Sequence, residues 1–80
     1  MFLEIITPDK KIYEGEVTSV KLPGSNGSFG VMNNHAPIIS TLDKGTIKII
    51  DENKNTLFFD VNGGVVEVMK NKIVVLAESI

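Results

Sequence analysis

Turn-forming residues interrupt this chain about every eight to twelve positions, and that spacing constrains the fold more than any other feature. Pro8-Asp9, Gly15, Pro23-Gly24, Asn33-Asn34, Asp43-Lys44-Gly45, the DENKN run at 51–55, Asn62-Gly63-Gly64 and Asn71-Lys72 each mark a stop. The pieces between them are short and rich in Ile, Val, Phe and Thr: residues 2–7, 11–14, 16–22, 28–32, 38–42, 46–50, 57–61, 65–69 and 73–76. No window longer than about ten residues carries the 3.6-residue helical period. The expectation is an all-β fold: a small antiparallel β-sandwich or flattened barrel of about nine or ten short strands, with essentially no helix. Residues 77–80 read as a short tail. Pro23-Gly24 reads as a type II turn, and Pro37 suits the start of an edge strand.

The chain is one domain, residues 1–80, with 42% hydrophobic residues and no cysteine. Neither a disulfide nor a thiolate metal site is available, so a core, or a core plus a partner, must hold the fold. A net charge of −2 gives no sign of a nucleic-acid patch. All eight basic residues are Lys, so the bidentate guanidinium that favours phosphate and carboxylate is missing. No apolar run approaches the roughly 20 residues of a membrane helix. Nor does a basic segment precede the apolar N-terminus, as it would in a signal peptide. The expectation is a soluble, cytosolic protein, peripheral to a membrane only through a partner. Several strands are apolar on both faces, for example Phe2, Leu3, Ile5 and Ile6, or Leu57, Phe58, Phe59 and Val61. Either these are the ordinary exposed apolar residues of a small domain, or another protein covers part of the outer surface.

Residues 22–45 gather four of the seven glycines, two of the three prolines and the only histidine. His35 would need a nucleophile and an orienting acid for hydrolysis; Ser40 and Asp43 are near in sequence, but no G-x-S-x-G elbow is present. The non-catalytic reading, with His35 pinning its loop or meeting a partner, is preferred. Gly24, Gly27 and Gly30 match neither a dinucleotide fingerprint nor a P-loop, and no helix follows to receive a phosphate. Asp51, Glu52 and Asp60 lack the spacing of a calcium loop. A rival reading comes from Leu42-Asp43-Lys44-Gly45, which is similar to the hairpin tip of lipoyl- or biotinyl-carrier domains and would make Lys44 a modified residue. Gly45 departs from that pattern, which continues with a small residue such as Ala.

Taken together, the residues closely resemble the epsilon subunit family of F-type ATP synthases. The signature runs along the chain as FLEIITPDKKIYEGEV, LPGSNGSFGV, NHAPIISTL, KGTIKI, VNGGVVEV and IVVLAE. Its most specific parts are His35-Ala36-Pro37 before an apolar strand and the block from Gly63 to Val68. Asn33-Asn34 stands where the family commonly has Pro-Gly, and Ser28 where it often has Glu.

The resemblance implies a non-catalytic central-stalk rotor subunit that joins the gamma subunit to the c-ring and couples proton translocation to ATP synthesis. It implies a c-ring contact at Asn26, Gly27, Ser28 and Phe29 and a gamma contact at Thr7, His35 and Ser40. No cofactor, metal, nucleic acid or direct membrane insertion is expected. The implied location is the cytoplasmic face of a bacterial inner membrane, ahead of the stromal side of a plastid membrane. Family members usually continue into a C-terminal helical hairpin that carries inhibition and, in some, ATP binding. The sequence ends where that hairpin would begin, so ATP binding is not expected of these residues, and a naturally short subunit is favoured.

Overall fold

The computed structural model describes residues 1–79; the predicted tail ends at Ile80, outside the described residues. Six strands form in order: β1 (Phe2–Ile6), β2 (Lys11–Leu22), β3 (Phe29–Met32), β4 (Ile38–Asp51), β5 (Thr56–Met69) and β6 (Lys72–Ala77). No helix occurs among the described residues. The all-β class therefore stands, but the strand number does not. The nine predicted pieces join into six strands because three expected interruptions, a break at Gly15, a turn at Asp43-Lys44-Gly45 and a turn or bulge at Asn62-Gly63-Gly64, are bends inside continuous strands. Gly15 lies within β2, Asp43-Lys44-Gly45 within β4 and Asn62-Gly63-Gly64 within β5.

The strand order is β1-β6-β5-β4-β2-β3, and a further β1–β2 pairing closes the first five into a ring with β3 beside β2. All pairs are antiparallel except β1–β6, where Phe2 lies opposite Lys72 and Ile6 opposite Leu76. The β4–β5 hairpin keeps one register from Ile38–Val68 to Ile50–Thr56, interrupted only at Asp43 and Gly63. Its two halves have different neighbours. Gly64–Met69 pairs onward to β6, whereas Lys48–Asp51 pairs with the second half of β2. The hairpin thus folds over at Asp43/Gly63 and serves both layers. Sheet one contains β1, β6 and the β4–β5 segments before and after that bend; sheet two contains the remaining β4–β5 ribbon, the second half of β2, and β3.

Register fixes which side chains face inward. Leu3, Ile73, Val68 and Ile38 form one cross-strand row of sheet one, and Val20, Ile49 and Leu57 form one of sheet two. The fully buried core between them is aliphatic, mostly Val and Ile, whose branched side chains suit a pleated surface. Phe29, Phe59 and Tyr13 pack against its margins. Simple alternation puts Val17 with Ser19 and Lys21, opposite Val20 and Leu22. Instead Val17 is buried with Val20 and Leu22, because a bulge between Val17 and Ser19 reverses the side-chain parity.

β1 is tied to its neighbours by charge as well as by pairing. Glu4 bridges Lys11 of β2 at 3.2 Å and Lys72 of β6 at 3.5 Å.

Candidate functional site

The sandwich has two contrasting ends. The glycine end holds the 7–10 turn, the loop after Leu22 and the Asp43/Gly63 bend. The histidine end holds residues 33–37, the hairpin tip at 51–55 and the turn at Asn71.

At the glycine end, Leu22 is anchored in the core and the chain reverses after it. The Gly24 N–H donates to the Leu22 carbonyl at 3.0 Å, making a three-residue turn centred on Pro23. A second turn follows, with the Gly27 N–H on the Gly24 carbonyl at 3.0 Å and Gly27 at φ 116°. The predicted type II turn would have given Gly24 a positive φ; that conformation falls to Gly27. Gly24 is required for another reason: a Cβ there would lie 2.8 Å from the Phe29 ring and 2.7 Å from the Gly27 carbonyl oxygen.

This loop is fastened to β4. The Ser25 N–H donates to the Thr41 carbonyl at 3.0 Å, and the Asp43 N–H to the Pro23 carbonyl at 2.8 Å. The Thr41 hydroxyl donates to Ser25 Oγ, which donates on to Asp43 Oδ1 at 3.0 Å. Asn26, Gly27 and Ser28 project from the fastened loop into solvent, while Phe29 is half-buried against the core.

At the histidine end, residues 33–37 carry the chain from β3 of sheet two to β4 of sheet one. The His35 N–H donates to the Met32 carbonyl at 3.2 Å and Asn34 takes φ 66°, the left-handed backbone that Asn tolerates. His35 Nδ1 donates to the Ala36 carbonyl at 2.7 Å, which fixes the ring against its own loop and leaves Nε2 free of that contact. The ring is half-buried; Ala36 and Pro37 are exposed.

The residues singled out in the sequence are not gathered into one patch. Thr7 is at the glycine end and buried, its Oγ1 closing the turn with the Lys10 backbone at 3.2 and 3.3 Å. Ser40 lies midway along the first half of β4, in the row of Ile5, Val75 and Val66, and donates to the Thr41 carbonyl at 3.2 Å. His35 and Asp43 flank opposite ends of that half-strand, residues 38–42, which alone is about 13 Å long by strand rise. They form no charge relay with Ser40.

Lys44 is inside β4 opposite Asn62, not at a hairpin tip, so the carrier-domain reading fails on position. The true tip is capped by Asp51, whose Oδ1 accepts from the Asn53 and Asn55 N–H groups at 2.9 Å each. No cluster of His, Asp and Glu able to hold a metal occurs among the described residues.

Two features escaped the sequence reading. A groove of about 790 Å³ lies over the bend, lined by Ile6, Val65, Leu76, Asp43, Gly63 and Glu78. It exists because Asn62-Gly63-Gly64 bends rather than turns. The second is the distribution of exposed apolar groups: Ile39, Val65, Met69 and Leu76 on the outside of sheet one, Met32 and Phe58 on the outside of sheet two. Strands apolar on both faces were the only signal of these.

The sequence model of the ATP synthase delta/epsilon chain β-sandwich domain matches residues 1–80. The chain belongs to the ATP synthase delta/epsilon family. An ATP synthase epsilon chain of Campylobacter curvus is 45% identical to this epsilon-family domain over 78 residues, 98% of the chain. The domain spans only 60% of that relative's length. Among solved structures, a chain of the Euglena gracilis mitochondrial ATP synthase (OSCP/F1/c-ring, rotational state 1) superposes with a TM-score of 0.88 at 18% identity. It covers 94% of this chain and 48% of its own. A chain of the Tetrahymena thermophila mitochondrial ATP synthase central stalk/c-ring gives 0.79 at 23% identity, covering 99% and 63%. At these identities the likeness is one of fold.

Proposed function

We propose that this domain is a non-catalytic rotor component of an F-type ATP synthase, joining the gamma subunit to the c-ring at the cytoplasmic face of a bacterial inner membrane. The observation that carries the reading is the family match over residues 1–80. The likeness to a chain of the Tetrahymena thermophila mitochondrial ATP synthase central stalk/c-ring supports it at the level of fold.

The geometry suits such a role. Torque passes best through a block that does not shear, and a closed ring of strands folded into two layers is such a block. Shaped loops at its two ends offer separate contacts. In this reading Asn26, Gly27, Ser28 and Phe29 form the c-ring side, with the first three projecting and Phe29 supporting them from below. His35, Ser40 and the exposed 7–10 turn that buried Thr7 closes form the gamma side. Because that turn and His35 lie at opposite ends, a gamma contact that reaches both runs along the height of the sandwich. The domain supplies no chemistry of its own; its contribution is coupling proton translocation to synthesis by mechanical linkage.

The test is co-purification from native membranes. The chain is expected to elute with gamma and c subunits, and elution apart from both would sink the reading. Asn26→Arg combined with Ser28→Arg is expected to weaken retention on the c-ring while sparing gamma, and His35→Ala to do the reverse. Phe29 is unsuitable for this test, since its ring is part of the packing.

A further inference from the structure

We propose that Asn26-Gly27 is a site of spontaneous covalent modification, where the Gly27 backbone nitrogen expels the Asn26 side-chain amide as ammonia and leaves aspartate or isoaspartate in the loop. The chemistry is independent of the rotor reading; only its consequence for the c-ring rests on that reading.

Two of the seven asparagines precede a glycine, Asn26 and Asn62. The other five precede Asn, His, Lys or Thr. An asparagine side chain has the length at which the next backbone nitrogen can reach its Cγ and close a five-membered ring. A Cβ on the following residue obstructs that approach, and glycine has none. By sequence the two pairs are equal candidates; the fold separates them.

Asn62 is held in place. Its backbone N–H donates to the Ser79 carbonyl at 3.1 Å, its Nδ2 donates to Ser79 Oγ at 2.8 Å, and it pairs with Lys44 of β4. Gly63 is buried and its carbonyl accepts from the Glu78 N–H at 3.0 Å. A Cβ there would lie 3.2 Å from Glu78 Oε2 and 3.4 Å from the Leu42 carbonyl oxygen. Turning the 62–63 peptide toward the Asn62 side chain requires β5 to part from both sides.

Asn26 is the contrary case. Asn26 and Gly27 are exposed, and a Cβ built on Gly27 would meet nothing within 4 Å. The bonds that fasten the loop to β4 are made by Pro23 and Ser25, before this pair, and the packing resumes after it at Phe29. Only the Gly27 N–H bond to the Gly24 carbonyl, at 3.0 Å, must open before the nitrogen can attack. Opening costs one turn bond and no core contact.

The step balances without a cofactor. The Gly27 N–Cγ bond forms, the Cγ–Nδ2 bond breaks, and the proton of the Gly27 N–H leaves with the ammonia. Water then opens the cyclic imide. Attack at Cγ gives aspartate, and attack at the backbone carbonyl gives isoaspartate, which lengthens the main chain by a methylene. Because the deprotonated amide is the nucleophile, the rate rises with pH. Residues 22–42 contain no Asp, Glu or Lys, so the product places a carboxylate in a segment that otherwise has none. On the c-ring side of the proposed rotor, a carboxylate taken out of water without a partner weakens the contact.

The experiment follows amide loss by peptide mapping of the purified folded chain at neutral and mildly alkaline pH. Asn26 is expected to convert at least about tenfold faster than Asn62, since an exposed turn opens at lower cost than a paired strand. Both rates are expected to rise with pH and to converge in urea. Asn26→Gln, with a side chain one carbon longer at an exposed position, is expected to abolish the early conversion and leave the fold intact. Equal rates at the two pairs in the folded chain overturn the inference. So does an Asn26 that keeps its amide in the folded chain over the time in which both pairs convert in urea. Conversion of Asn26 as fast in the assembled enzyme as in the free chain supports the chemistry and removes this loop from the c-ring contact.

Discussion

Gly64 shows what a single residue must supply here. It adopts φ 146° within β5, and a Cβ built on it would fall onto the Leu76 carbonyl oxygen of the neighbouring strand. Backbone, not a flexible side chain, blocks the space, so relief requires strands β5 and β6 to part. Gly64→Ala is therefore expected to destabilise the domain by about 2–5 kcal/mol, combining strain at positive φ with a forced backbone shift. Urea unfolding measures it. Lys54 presents the reverse case: a side chain occupies φ 66° at the hairpin tip, where glycine would be at ease. Lys54→Gly is expected to raise stability by up to about 1 kcal/mol, seen as a higher urea midpoint with unchanged slope. The sequence showed that Asn62-Gly63-Gly64 needs special backbone. It did not show whether that backbone turns the chain or bends it, because both use positive φ. The deciding fact is the approach of Leu76, twelve positions away from Gly64 in sequence and adjacent only in the fold.

At the scale of elements the same ambiguity explains nine pieces becoming six strands. Type and approximate position of each piece were legible from β-rich runs and their punctuation. Continuity across Gly15, Asp43–Gly45 and Asn62–Gly64 was not, since a bent strand and two strands share one local pattern. The candidate loops fared likewise. Asn33-Asn34 was legible as left-handed backbone, whereas the fastening of Ser25 to Thr41 and Asp43 depends on a contact between β4 and a loop that precedes it. One consequence of element pairing can be measured by pH. The Glu4 carboxyl is held below its ordinary pKa, chiefly by its hydrogen bond with Lys11 and further by the charge of Lys72, with desolvation opposing. Folded Glu4 thus binds its proton less readily than unfolded Glu4. The stabilisation is complete above the unfolded carboxylate value of about 4.3 and is lost as pH falls from there through the depressed folded value. Lys11→Met is expected to flatten this part of the acid limb of a stability–pH curve obtained by denaturant titration.

For the molecule as a whole, the controlling fact is that its pairings are mostly between distant parts of the chain. The ring closes only through β1–β2 and the parallel β1–β6 pair, with Leu3 opposite Ile73. All-β domains of this kind fold in milliseconds to seconds, because loop closure must precede most of the stabilising contacts. Stopped-flow refolding is expected to give a single exponential in that range; a microsecond phase carrying most of the amplitude would contradict the topology. The parallel pair has another consequence, felt during synthesis. A ribosome releases β1 first and β6 last of the strands, yet β6 is inserted between β1 and β5. Until residues 72–77 have left the exit tunnel, both neighbours wait with an open edge and the core lacks Ile73, Val75 and Ala77. Folding of the nascent domain is therefore timed by the last strand to emerge, and its unpaired edges are open to other chains until then.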